Sequence, residues 1–126
     1  MNYSEACALL RGRDKKKVGN NTYLHLERDG SVVLRLHGNG IVVWKHTGEI
    51  VLSSCGWRTA TTKDRLNKFG PVWVFQHEFT WYFMFGEERM RFTDGLVVLE
   101  SELGEKKEIR DWVGVVPAGD GSGWCG

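Results

Sequence analysis

The chain contains no long apolar run. Nothing in its 126 residues could span a bilayer as a helix, and its start carries no charged-then-apolar leader. The expectation is a cytoplasmic protein with no membrane partner. Cysteine is scarce. Cys7, Cys55 and Cys125 are odd in number and lack Cys-x-x-Cys spacing, which argues against a disulfide framework or a zinc ribbon and for a reducing compartment. An excess of one charge is also missing. Seventeen Lys and Arg face sixteen Asp and Glu, a net charge of +1, so any anion site must be local rather than a broad electrostatic footprint. There is no phosphate-binding Gly-x-x-x-x-Gly-Lys-Ser/Thr loop, no dinucleotide fingerprint and no nucleophile elbow. His25, His37, His46 and His77 show no His-x-His or His-Glu-x-x-His spacing, and the carboxylates near them (Glu27, Glu49, Glu78) are scattered. No metal and no cofactor is expected.

What is present fits one domain over residues 1–126. The hydrophobic content of 41% can fill a core, and six Trp with six Phe are a heavy aromatic load for this length. Residues 4–11 have a short helix pattern with Ser4 as cap, followed by a basic loop over 12–20 that reads as a solvated connector. Thr22–Glu27, Ser31–His37, Ile41–His46 and Ile50–Ser53 read as strands joined by Arg-Asp-Gly, Gly-Asn-Gly and Thr-Gly turns, an antiparallel meander. Pro71–Phe79, Trp81–Phe85, Arg89–Phe92 and Leu96–Glu100 continue as strands. Glu102–Trp112 reads as a charged helix, and 117–126 as a flexible glycine-rich tail. The predicted class is α+β: a bent antiparallel sheet or small barrel with two or three short helices.

The most informative stretch is Gly56–Phe69, Gly-Trp-Arg-Thr-Ala-Thr-Thr-Lys-Asp-Arg-Leu-Asn-Lys-Phe. A glycine turn leads into threonines and a short basic helix. Thr61 is placed as N-cap, with Asp64 three residues on as its capping-box partner. The first turn of a helix offers free N–H groups and the positive end of its dipole. With Arg58, Lys63 and Arg65 close by, and Thr59, Thr61 and Thr62 supplying hydroxyls, the segment has the makings of a phosphate site. The plain alternative is a well-capped surface helix with a solvated basic face.

The stretch from Asn20 to Phe69, with Asn-Asn-Thr-Tyr-Leu, a Leu-His pair at 36–37 and Gly-Trp-Arg-Thr-Ala-Thr-Thr-Lys, resembles a family of small proteins encoded by phages, prophages and plasmids. Two positions depart from the family's pattern: Cys55 replaces a glycine and Asn39 a threonine. The resemblance implies a counter-defence protein acting in the host cytoplasm on a small phosphorylated ligand, most concretely a cyclic nucleotide immune signal. It favours His37 over the other histidines.

Period two sorts the strand side chains by face. Val32, Leu34 and Leu36 point to the core, whereas Tyr23, His25, Arg35 and His37 fall on one polar face that could floor a cleft. The aromatic block from Trp73 to Phe85 is mostly core by alternation. Trp57, beside the phosphate cradle, is the ring best placed to stack on a base. Two mechanisms follow. In one, a metal-independent phosphodiesterase uses His37 as general acid or base, with Lys63 and Arg58 stabilising the charged transition state. Trp57, Thr59, Thr61, Thr62, Arg65, Tyr23, His25 and Asn39 then bind the ligand. In the other, the same residues sequester the intact ligand, with a homo-oligomer placing the pocket between subunits. A module for nucleic acid or protein, using the basic loop 11–17, is the competing class.

Overall fold

The computed structural model describes residues 1–104, which form two α-helices, nine strands and one 3-10 turn. In chain order these are α1 (Tyr3–Leu10), β1 (Lys15–Gly19), β2 (Thr22–Leu26), β3 (Val32–Leu36), β4 (Asn39–Trp44), β5 (Glu49–Leu52), α2 (Ala60–Phe69), β6 (Val74–His77), β7 (Thr80–Phe85), β8 (Glu88–Arg91) and β9 (Leu96–Leu99). The 3-10 turn is Glu100–Glu102. The strands make two antiparallel sheets, one in the order β1-β2-β3-β4-β5-β9 and one in the order β6-β7-β8. Neither closes into a barrel, so of the two expected architectures the open α+β one holds.

The meander from β2 to β5 follows the alternation in the sequence. Leu24 opposes Leu34, Leu34 opposes Val42, and Val42 opposes Leu52, one apolar row across the inner face. All four side chains are fully buried or nearly so. A single core joins this row to Leu66 of α2, to Trp81 and Phe83 of the smaller sheet and to Phe92 just after it. Trp44 is completely buried, and its indole N–H donates to the Met1 carbonyl at 2.8 Å. That bond ties the start of the chain to the sheet.

Four local expectations need correction. The basic stretch 12–20 is not all loop. Lys15–Gly19 pairs with β2 as an edge strand, because the backbone of this Lys-Lys-Lys-Val run satisfies its hydrogen bonds on Tyr23 and its neighbours. The first helix begins at Tyr3 and is capped by Asn2, not Ser4. Asn2 and Glu5 make a reciprocal capping box, each side chain accepting from the other's N–H at 2.8 Å. The second helix is capped by Thr59, not Thr61. Thr59 has extended backbone and its hydroxyl accepts from Thr62 N–H at 3.1 Å, while Asp64 pairs with Arg65 rather than reaching back. Pro71–Phe79 contains a shorter strand, Val74–His77, since Glu78 and Phe79 turn the chain with left-handed backbone. The expected helix over 102–112, from residue 105 on, and the tail 117–126 lie outside the described residues.

Gly70 ends α2 for a steric reason. A Cβ there would collide with the Leu66 carbonyl oxygen, to which the Gly70 N–H donates at 2.8 Å.

Candidate functional site

One end of the larger sheet is shaped by two tight turns. β3 and β4 are joined by His37-Gly38, with φ of 51° and 82°, the left-handed pair of a two-residue hairpin. A histidine tolerates that conformation better than a β-branched residue does. After β5 the chain makes a second left-handed pair, Cys55-Gly56, with φ of 53° and 81°. Cys55 Sγ donates to the Gly40 carbonyl at 3.1 Å, which holds the second turn against the first.

Between these turns and the start of α2 lies a cleft of about 480 Å³. Leu36 and Ile41 supply apolar surface within it. His37 and Asn39 reach it from the first turn, Ser54 and Trp57 from the connection after β5, and Thr59, Thr61 and Thr62 from the first turn of α2. Trp57 is 61% exposed at the rim. Ala60 and Thr61 occupy helix positions whose N–H groups have no acceptor upstream in the helix. The hydroxyls of Thr59 and Thr62 lie 3.0 Å apart and are hydrogen-bonded to each other. The cleft therefore offers hydroxyls, an amide, an imidazole, an indole and helix N–H groups above an apolar floor.

The far wall is braced from a distant part of the chain. Asp94 Oδ1 accepts from the Ser54 N–H at 2.7 Å and from its hydroxyl at 2.8 Å. Asp94 Oδ2 accepts from Gly56 N–H at 3.4 Å. Burial pushes the Asp94 carboxyl up, but the two Ser54 hydrogen bonds, the Arg58 charge and the Gly56 N–H outweigh it. The net effect holds Asp94 below the usual carboxylate range.

The cations point elsewhere. Arg58 Nε donates to Ser54 Oγ at 3.0 Å, and its guanidinium carbon sits 5.0 Å from the Trp81 ring centre and 5.2 Å from that of Phe92. Lys63 is buried, its Nζ 5.9 Å from the Trp81 ring centre. Arg65 Nε donates to Thr22 Oγ1 at 2.9 Å and its guanidinium pairs with Asp64. Among the described residues that line the cleft there is no lysine or arginine.

The structure thus brings together His37, Asn39, Trp57, Thr59, Thr61 and Thr62, and places Arg58, Lys63 and Arg65 behind or beside them. Tyr23 and His25 do share a face with Arg35, as the alternation implies, but on the outer side of the sheet and away from the cleft. His37 leaves that face because the chain turns there. Ser54 and Asp94 are the participants that sequence reasoning missed. They lie 40 positions apart, and the only local signal is the Thr-Asp-Gly turn at 93–95. Among the described residues, no three His, Cys, Asp or Glu side chains come together as a metal-ligand set, and no helix is long and apolar enough to cross a membrane.

Comparison with known proteins gives a family. The model of the Kyanoviridae Gp96 protein family matches residues 3–99, which include both sheets and every residue of the cleft. Neither the curated proteins nor the solved structures yield a match. The chain belongs to the Kyanoviridae Gp96 family of phage-encoded small proteins.

Proposed function

We propose that the cleft between the two left-handed turns and the start of α2 binds a small nucleotide-type ligand. In this reading the protein is a phage anti-defence factor that takes a cyclic nucleotide immune signal out of solution. Trp57 stacks on a base, and Asn39 with the threonine hydroxyls recognises polar edges. The N–H groups of Ala60 and Thr61 donate to a phosphate at the positive end of the α2 dipole. A volume of about 480 Å³ is in the range of small-molecule sites, and an apolar floor with a few convergent polar groups is their usual chemistry.

The observation that carries the reading is the makeup of the lining: an exposed indole, hydroxyls and helix N–H groups together, with Arg58 and Lys63 turned onto Trp81. This favours capture over cleavage. A metal-independent phosphodiester hydrolysis needs cations aimed at the charge that develops in the transition state. The two cations named for that task are engaged elsewhere. Cleavage through His37 is the second reading, supported by the placement of His37 at the cleft by a left-handed turn.

The test is to incubate purified protein with a panel of cyclic di- and oligonucleotides, then to separate the mixture by chromatography before and after heat denaturation. Depletion of one ligand, with intact ligand returned by heating, supports capture. A new product supports cleavage. A panel that is neither depleted nor converted refutes both readings.

A further inference from the structure

The larger sheet has a second surface that the cleft does not use. Its inner face is packed against the helices and the smaller sheet, while its outer face carries the odd-numbered residues of β1, β2 and β3. Lys17 opposes Tyr23, which opposes Arg35, and Lys15 opposes His25, which opposes Val33. Lys15 Nζ lies 4.7 Å over the Tyr23 ring, and the Tyr23 and His25 rings meet edge to face at 6.4 Å. Glu27 follows β2 directly, and Arg35 holds its carboxylate at 2.8 Å. Burial lowers the His25 pKa, the charges of Arg35 and Lys15 lower it further, and the Glu27 carboxylate opposes them in part.

Lysines on an edge strand have an ordinary use, since they discourage pairing with another sheet. That use requires only charge at the edge. It does not require an aromatic pair on the same face with the lysine ammonium above it and an arginine on the far side. Two rings flanked by three cations on an open antiparallel sheet match the chemistry of single-stranded nucleic acid. Bases stack on the rings, and the backbone phosphates meet the cations.

We propose that the outer face of β1, β2 and β3 binds single-stranded nucleic acid through Tyr23 and His25 as stacking platforms and Lys15, Lys17 and Arg35 as phosphate contacts. Charge complementarity selects this occupant. On this face Lys15, Lys17 and Arg35 stand against the carboxylate of Glu27. A duplex buries its bases and offers nothing to the rings.

The experiment is fluorescence anisotropy with the full chain and a labelled oligothymidylate of about 15 nucleotides, titrated from about 50 to about 200 mM salt. Binding is expected at the low end, with a log–log salt slope near about −2 for three cations on a single strand. Lys15→Glu combined with Lys17→Glu should weaken binding by about tenfold or more and flatten the slope. Both side chains are exposed, so melting should not change. Tyr23→Ala should weaken binding by roughly fivefold to a hundredfold at unchanged slope. Tyr23→Phe should retain binding, which separates stacking from a folding defect. Trp57→Ala, in the cleft, should have no effect on this titration, so the outcome is independent of the nucleotide-capture reading. The proposal is overturned by no binding at low salt, by a duplex of equal length binding as well, or by full affinity in the charge-reversed variant. Binding to phosphatidylserine vesicles but not to the oligonucleotide would overturn it too, by making the patch a membrane contact.

Discussion

Thr59 and Thr61 both line the cleft, yet the structure gives them different work, and substitution should separate the two. Thr59 is the N-cap of α2. Its hydroxyl accepts from the Thr62 N–H at 3.1 Å and lies 3.0 Å from the Thr62 hydroxyl. Removing an N-cap costs about 1 kcal/mol. Thr62 is only 1% exposed, so Thr59→Ala also leaves a buried hydroxyl without this partner, for about 1 kcal/mol more. The expected total is about 2 kcal/mol, or a fall in Tm of about 8 °C for a domain of this size. Thr61 is exposed inside the first turn and caps nothing. Thr61→Ala should stay within about 0.5 kcal/mol of the parent, as surface changes do. Thermal and urea melts of Thr59→Ala, Thr59→Ser and Thr61→Ala decide the matter, with Thr59→Ser expected to recover most of the loss. Equal costs for the two alanine variants would refute the reasoning, because the cap would then be shared or misplaced.

Three further predictions follow from the cleft wall and its rim. Arg58→Ala should destabilise the fold by about 1–2 kcal/mol in a urea melt, since it removes the cation lying over both Trp81 and Phe92 and the donor to Ser54; a variant as stable as the parent would mean the guanidinium is solvated. Asp94 has its folded pKa held down, so its stabilisation is present above the unfolded carboxylate range, near about pH 4, and is lost as pH falls through the lower folded value. In Asp94→Asn that part of the acid-side loss should vanish from a stability–pH curve, with lower stability at neutral pH; an unchanged curve would contradict the Ser54 and Gly56 contacts. Trp57→Ala should melt like the parent because the ring is mostly exposed, yet lose depletion of any ligand found in the panel.

The parts of this molecule legible in the sequence were those set by local spacing. The alternation from Thr22 to Leu36 fixed which residues face the core, and the observed register pairs them as the pattern implies. His37, Asn39, Trp57 and the three threonines could be nominated because two turns and one helix start hold them. β1 was not legible, because Lys15–Lys17 becomes a strand only by pairing with a neighbour and has no apolar rhythm of its own. The cap shifted from Thr61 to Thr59 because both positions offer the same hydroxyl, and only backbone geometry chooses between them. The direction of Arg58 and Lys63 depends on Trp81 and Phe92, which come later in the chain and meet them only in the fold. Asp94 bracing Ser54 is of the same kind.

The central claim is capture of a nucleotide at the Trp57 cleft. Native mass spectrometry of the protein recovered from infected cells, beside its Trp57→Ala variant, tests it most directly. The account predicts an added mass equal to that of a nucleotide on the parent protein, released intact on heating and missing from the variant. A parent protein without added mass, or the same added mass on Trp57→Ala, would contradict it.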